Sequence, residues 1–218
     1  MTQILNIAGL IMILGGIIGV TGKQITKKML GIALDVAGII LLVNVQRNNY
    51  GVFAGLELLI FALPVLIMFL ILLGLVCKKN DMHTIRDLYG LRKHQPWLFA
   101  LFVVIGVVLI GIPGTGTFGA YMLAVPAMIT GESILSYIAI PGLLIGIILI
   151  GLQFYDLWIH MYLIKDVYDE PANETEKEYK KMNKAGLVLC TAILLVICFF
   201  GVYETPVMLL IDYLKERI

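Results

Sequence analysis

Asp35, Glu57, Asp156 and His160 are ionisable residues set within or near the ends of long apolar runs in a 218-residue chain. A charge at the centre of a bilayer costs about 3 kcal/mol or more, so such a group usually faces a partner or a hydrated path. The chemistry open to these residues is the uptake and release of a proton or a small cation. Asp35 is the strongest candidate, flanked by Leu34 and Val36 with apolar sequence continuing to Val43. It reads either as a transfer carboxylate or as a structural hydrogen bond or ion pair. Glu57 stands near the outer end of its run, where placement at headgroup level would relieve the charge. Asp156 and His160 are four residues apart and share one helical face. They form either a proton-relay step or a pair at the inner interface beside Lys165. Glu204 reads as interfacial.

The elements that must position these groups are membrane helices. Hydrophobic residues make up 60% of the chain and charged residues 14%, and mean hydropathy is +0.97. No soluble domain needs that much apolar surface. Apolar runs at residues 4–20, 29–45, 51–77, 97–123, 134–163 and 185–214 predict an all-α, polytopic membrane protein with six transmembrane helices. The first two runs are short for a bilayer that asks for about 20 residues. The first has no positive leader or cleavage pattern and is expected to be a retained span. Thirteen of the sixteen Lys and Arg fall in the loops after the first, third and fifth runs, Lys27 and Lys28 among them. That asymmetry places those loops in the cytoplasm and both termini outside the cytoplasmic membrane. The mixed-charge stretch 166–184 reads as a solvated connector.

The fourth run is interrupted by Gly111-Ile112-Pro113-Gly114-Thr115-Gly116-Thr117-Phe118. Proline removes a backbone donor and clashes with the preceding turn, and each glycine costs a helix about 1 kcal/mol against alanine. The spacing therefore predicts a discontinuous fourth helix, two half-helices joined near residues 113–117. At membrane depth the freed backbone groups must be satisfied by protein or by water lining a cavity. Broken helices of this kind recur in ion-translocating proteins.

Several chemistries are excluded by what the chain lacks. Cys77, Cys190 and Cys198 form no CxxC pair and read as inert buried thiols, too few for an iron–sulfur cluster. His83, His94 and His160 are scattered, so no metal site is expected. There is no phosphate loop, no nucleophile elbow and no basic patch for nucleic acid. The chain lacks the parts of an independent catalyst.

Asp87-Leu88-Tyr89-Gly90-Leu91, then Pro96, then the broken run ending in Gly116-Thr117-Phe118, resembles a specific family. It is similar to the antiporter-like membrane subunits of respiratory complex I, of Mrp sodium/proton antiporters and of energy-converting [NiFe] hydrogenases. These share a D-L-x-G-L loop, a proline at the helix start and a broken helix, nearest here to the complex I M-type form. Gln153-Phe154-Tyr155 and Gly201-Val202-Tyr203-Glu204-Thr205-Pro206 add supporting likeness, so the resemblance covers about residues 84–214, the last three helices of a fourteen-helix fold. Where the family commonly carries a proton-path Lys or Glu, three residues after the Phe, this chain has Tyr121. A phenol with a pKa near 10 is a poor proton carrier at neutral pH, so the resemblance implies a lost proton site. The first three runs resemble, more distantly, the small three-helix K-type or C-type subunit of the same complexes.

The resemblance thus implies two regions. Residues 1–80 form a three-helix N-terminal membrane region, and residues 81–218 a three-helix antiporter-like region. It implies a truncated, non-catalytic membrane subunit of a complex I-like, ion-translocating assembly. The small size points to an energy-converting hydrogenase of the methanogen Eha type. Iron–sulfur clusters and a [NiFe] centre are then expected on partner subunits, with no cofactor in this chain. Its partners would be other membrane subunits and the lipid bilayer. A subunit of an Mrp-type antiporter, a free-standing small ion carrier and an intramembrane enzyme are the alternatives.

Overall fold

Helices account for nearly all of the computed structural model, which describes residues 2–46, 48–130, 134–163 and 184–202. In order they are α1 (Thr2–Thr21), α2 (Ile25–Asn44), α3 (Asn49–Asn80), α4 (Leu91–His94), α5 (Pro96–Ile110), α6 (Gly116–Ile129), α7 (Ile134–Tyr162) and α8 (Lys184–Val202). A 3-10 turn, Ile85–Leu88, precedes α4. The described residues hold no strand, only an isolated bridge between Gln24 and Thr84. Lys165, Glu204 and residues 166–183 of the connector lie outside the described residues.

Sequence chemistry explains the boundaries. Asn48 caps α3, its side chain accepting the Gly51 N–H at 2.8 Å. α3 ends at Asp81 in the left-handed region, φ 52°. Asp87 of the D-L-x-G-L loop accepts from the N–H groups of His83 and Thr84 at 2.9 and 2.8 Å. Its carboxylate is therefore the cap of the 3-10 turn. Gly90 adopts φ 76°, a conformation that glycine takes without strain, and its N–H donates to the Leu163 carbonyl at 2.9 Å. Pro96 opens α5 at the first helical position, where a missing N–H costs nothing.

Three helices are long and apolar enough to cross a membrane: Gln3–Thr21, Asn49–Asn80 and Tyr137–Tyr162. A bent pair, Ile85–His94 with Pro96–Ile110, raises the number to four. The described residues thus hold three to four such spans where the sequence predicts six. The reasons are local. α2 carries Lys27, Lys28 and Asp35, the fourth run is divided into helices of 15 and 14 residues, and α8 is described only to Val202.

Main-chain hydrogen bonds gather three connections at one end. Ile25 N donates to His83 O and Ile85 N to Lys23 O, both at 3.0 Å, and Gly90 joins Leu163. At the other end Asn48 Nδ2 donates to Ala127 O at 2.6 Å and contacts Thr130 Oγ1 at 2.9 Å. So α5 starts at the first end and α6 finishes at the second, which makes the pair one broken crossing of the bundle. One apolar core, with members from Leu5 to Leu194, draws on every helix.

Candidate functional site

Three buried polar side chains, Lys28, Asp35 and Gln153, gather where α1, α2 and α7 meet. Lys28, counted from sequence as a loop charge, belongs to the first turns of α2 and is only 1% exposed. Its Nζ lies 2.5 Å from Asp156 Oδ2 of α7 and faces the Val20 carbonyl at 3.5 Å. Val20 is in the last turn of α1, where the helix dipole favours a cation. His160 continues the row. Its Nδ1 is 2.7 Å from the Asp156 main-chain oxygen and 3.3 Å from the carboxylate, and its ring packs on Tyr89 with centroids 5.2 Å apart.

Two helical turns beyond Lys28, about 10 Å along α2, Asp35 is completely buried. The Nε2 of Gln153, also completely buried on α7, donates to Asp35 Oδ2. Gln153 and Asp156 are three residues apart and share a face. α2 and α7 run antiparallel, so Asp35–Gln153 and Lys28–Asp156 form successive rungs. Asp35 Oδ1 and Gln153 Oε1 have no hydrogen-bond partner. Glycines let the helices close on this pair: a Cβ on Gly19 would stand 1.8 Å from Gln153 Oε1, and one on Gly31 would stand 2.4 Å from Gly19 Cα. Asp35, Asp156 and His160 are thus brought into one row. Lys28 and Gln153 belong to it and were not singled out from sequence.

Glu57 is only 3% exposed. It lies eight residues into α3, about 12 Å from the start of that helix.

The predicted break is present between Ile110 and Gly116, and it is capped from within. Gly111 ends α5 at φ 77° and Gly114 turns the chain at φ 94°. Three carbonyls of the last turn of α5 find donors. Val107 O takes Ile112 N at 3.2 Å, and Val108 O takes Gly111 N at 3.1 Å and the Thr117 hydroxyl. Leu109 O takes the Tyr121 hydroxyl at 3.0 Å. Gly116 is pressed by the Phe61 ring, and Gly201 of α8 meets its backbone. Tyr121 is a buried helix cap here, its ring lying over Gly111. Ile112, Pro113 and Gly114 remain exposed. Among the described residues no three His, Cys, Asp or Glu stand together as a metal site.

The family described as NADH:quinone oxidoreductase/Mrp antiporter, transmembrane, matches residues 1–153. The chain belongs to this antiporter family. NADH-quinone oxidoreductase subunit N of Chlorobium chlorochromatii (strain CaD3) is 24% identical over 196 residues, which is 89% of this chain and 37% of that protein. Among solved structures, a chain of the membrane-bound sulfane sulfur reductase, an archaeal respiratory membrane complex, superposes with a TM-score of 0.80 at 18% identity, covering 97% of this chain and 41% of that one. A chain of Thermus thermophilus respiratory complex I with bound NADH gives 0.75 at 18%, with 93% and 41% covered. One of the Mrp complex from Dietzia sp. DQ12-45-1b gives 0.74 at 14%, with 96% and 45% covered. The chain therefore spans about two fifths of the length of these relatives.

The antiporter-family match begins in α1 and crosses residue 80, taking in the first three helices as well as the D-L-x-G-L loop and the break. Lys28, Asp35 and Glu57 fall inside it, Gln153 is its last residue, and Asp156 and His160 lie beyond.

Proposed function

We propose that the chain is a non-catalytic membrane subunit of a complex I-like, ion-translocating assembly, and specifically of an energy-converting hydrogenase. In this reading it crosses the cytoplasmic membrane six times with both termini outside, and the row from Asp35 to His160 serves ion transfer. The observation that carries it is the pair of polar rungs between α2 and α7, Asp35–Gln153 completely buried and Lys28–Asp156 with its lysine buried. Such groups are costly at membrane depth and are kept where ions pass.

The exposed turn at residues 112–114 supports partner subunits. Non-helical backbone at membrane depth is tolerated only where protein or a water-filled cavity covers it. The electron-carrying clusters and the [NiFe] centre belong, in this reading, to those partners. The likeness to a chain of an Mrp complex favours one alternative, a subunit of an Mrp-type cation/proton antiporter.

Affinity purification of the tagged chain from native membranes separates these assemblies. Co-purification with nickel and hydrogen-oxidising activity is expected. Recovery with antiporter subunits and no nickel would replace the hydrogenase reading, and a homo-oligomer that moves ions in liposomes would replace both. Within the purified assembly, Asp35→Asn is expected to leave the subunits together and reduce coupled ion movement in vesicles. Unchanged coupling would remove Asp35 from the path.

A further inference from the structure

The atoms around Asp35 identify the ion that this part of the row can hold. Gln153 Nε2 already donates to Asp35 Oδ2. The two remaining polar atoms of the pair, Asp35 Oδ1 and Gln153 Oε1, are both acceptors when the carboxyl is ionised, and both are buried without a donor. The Gly16 N–H of α1 faces the carboxyl but does not reach Oδ1 within hydrogen-bond distance. Orphaned buried acceptors are destabilising, and a low-dielectric surrounding makes them more so. What the pair lacks is one donor.

We infer that Asp35 binds a proton, and not a metal cation, and that Gln153 is its positioning residue. This rests on the reading of the row as an ion path for its transport consequence, though the binding itself does not. Protonation turns the carboxylate into a carboxylic acid with one O–H donor and acceptor capacity left over. A primary amide also has a donor face and an acceptor face. The acid O–H donates to Gln153 Oε1 while the amide N–H donates to the other carboxyl oxygen, and the pair satisfies itself. On release the proton leaves the carboxyl oxygen, and the amide keeps its N–H on the carboxylate.

A metal cation fits this place poorly. Hard cations take about six oxygen ligands, and intramembrane sodium sites recruit carbonyls from unwound helices. Here the neighbours α1, α2 and α7 are continuous helices. Among the described residues the break within an apolar run is that between α5 and α6, whereas α2 packs on α1, α3 and α7. The charged groups on the surrounding elements are few. α1 has no ionisable side chain within Thr2–Thr21. α7 contributes Asp156, paired with Lys28, and then His160. α3 contributes Glu57 and, at its basic end, Lys78 and Lys79, and α2 itself adds Lys27.

Infrared difference spectroscopy of the purified assembly, recorded between acidic and alkaline pH, tests this. The expected result is a protonated-carboxyl band that is absent from Asp35→Asn, displaced in Gln153→Leu, and unchanged when sodium replaces potassium in the buffer. A band that sodium suppresses or shifts would overturn the inference, as would a spectrum in which Asp35→Asn removes no protonated-carboxyl band. Asp35→Asn should assemble with unchanged yield and thermal midpoint, because an amide also offers Gln153 one donor and one acceptor. A large loss of assembly in Asp35→Asn, restored by no change of pH, would also count against a neutral acid. A sodium-insensitive Asp35 band together with unimpaired coupling in Asp35→Asn would instead leave proton binding standing and defeat only the transport reading.

Discussion

The α5–α6 break and the row between α1, α2 and α7 are two places where polar groups enter the apolar interior. At the break the groups are backbone carbonyls, and the hydroxyls of Thr117 and Tyr121 together with two main-chain N–H groups take them up. In the row the groups are side chains of opposite charge and a carboxyl–amide pair, held between helices that remain continuous, with two atoms left orphaned. A broken helix is thus no measure of where an ion can sit. The irregular segment is closed chemically, while the regular helices carry the unmet polar demand.

The comparison breaks most easily at the ion pair. Asp156→Leu takes the carboxylate from a buried Lys28 ammonium whose contact with the Val20 carbonyl is long, at 3.5 Å, and a buried charge left uncompensated costs about 3 kcal/mol or more. A clear fall in the thermal midpoint of the purified assembly is expected, largely recovered when Lys28→Met is added. An Asp156→Leu assembly as stable as the parent would show that Lys28 is not held by this pair.

Gly19→Ala comes next. The added methyl meets Gln153, and overpacking of a closed interface costs about 1–3 kcal/mol. Gly114→Ala meets nothing within 4 Å and pays only for its φ of 94°, about 1 kcal/mol. Equal losses in the two variants, measured side by side by thermal unfolding, would mean that the contact between α1 and Gln153 of α7 is not tight.

Much of this architecture is legible in the residues. Gly111, Pro113, Gly114 and Gly116 announce the break because the local backbone cost is written in residue type alone. Asp87 and Gly90 announce the loop for the same reason. The satisfaction of the break is not local: Tyr121 reaches a carbonyl twelve residues back, and nothing in its sequence neighbourhood says so. Gln153 stands in the sequence only as part of a family-like stretch, since its partner lies 118 residues away. Lys28 was hidden by a rule that counts lysines by loop and does not ask which ones fold inward. Six spans follow from apolar runs, but three to four of the described helices meet the length and composition of a crossing, because charge in α2 and the break divide what hydropathy alone would join.

The smaller effects sharpen the contrast. Tyr121→Phe removes the donor to Leu109 O and is expected to cost about 1 kcal/mol of stability, with coupled ion movement in vesicles unchanged. Asp35→Asn is expected to do the reverse, holding stability and lowering coupling. If Tyr121→Phe abolished coupling in an intact assembly, the hydroxyl would be a proton relay and the separation of the two regions would fail.

The described connections are joined by different chemistry at the two ends of the bundle. At the basic end they are laced by backbone hydrogen bonds among Lys23, Ile25, His83, Ile85, Gly90 and Leu163. At the opposite end the side chain of Asn48 reaches Ala127 and Thr130. The Lys28–Asp156 rung stands beside the laced end and Asp35 two helical turns further in, so the ion pair is anchored in a part of the molecule whose joints no side-chain substitution removes.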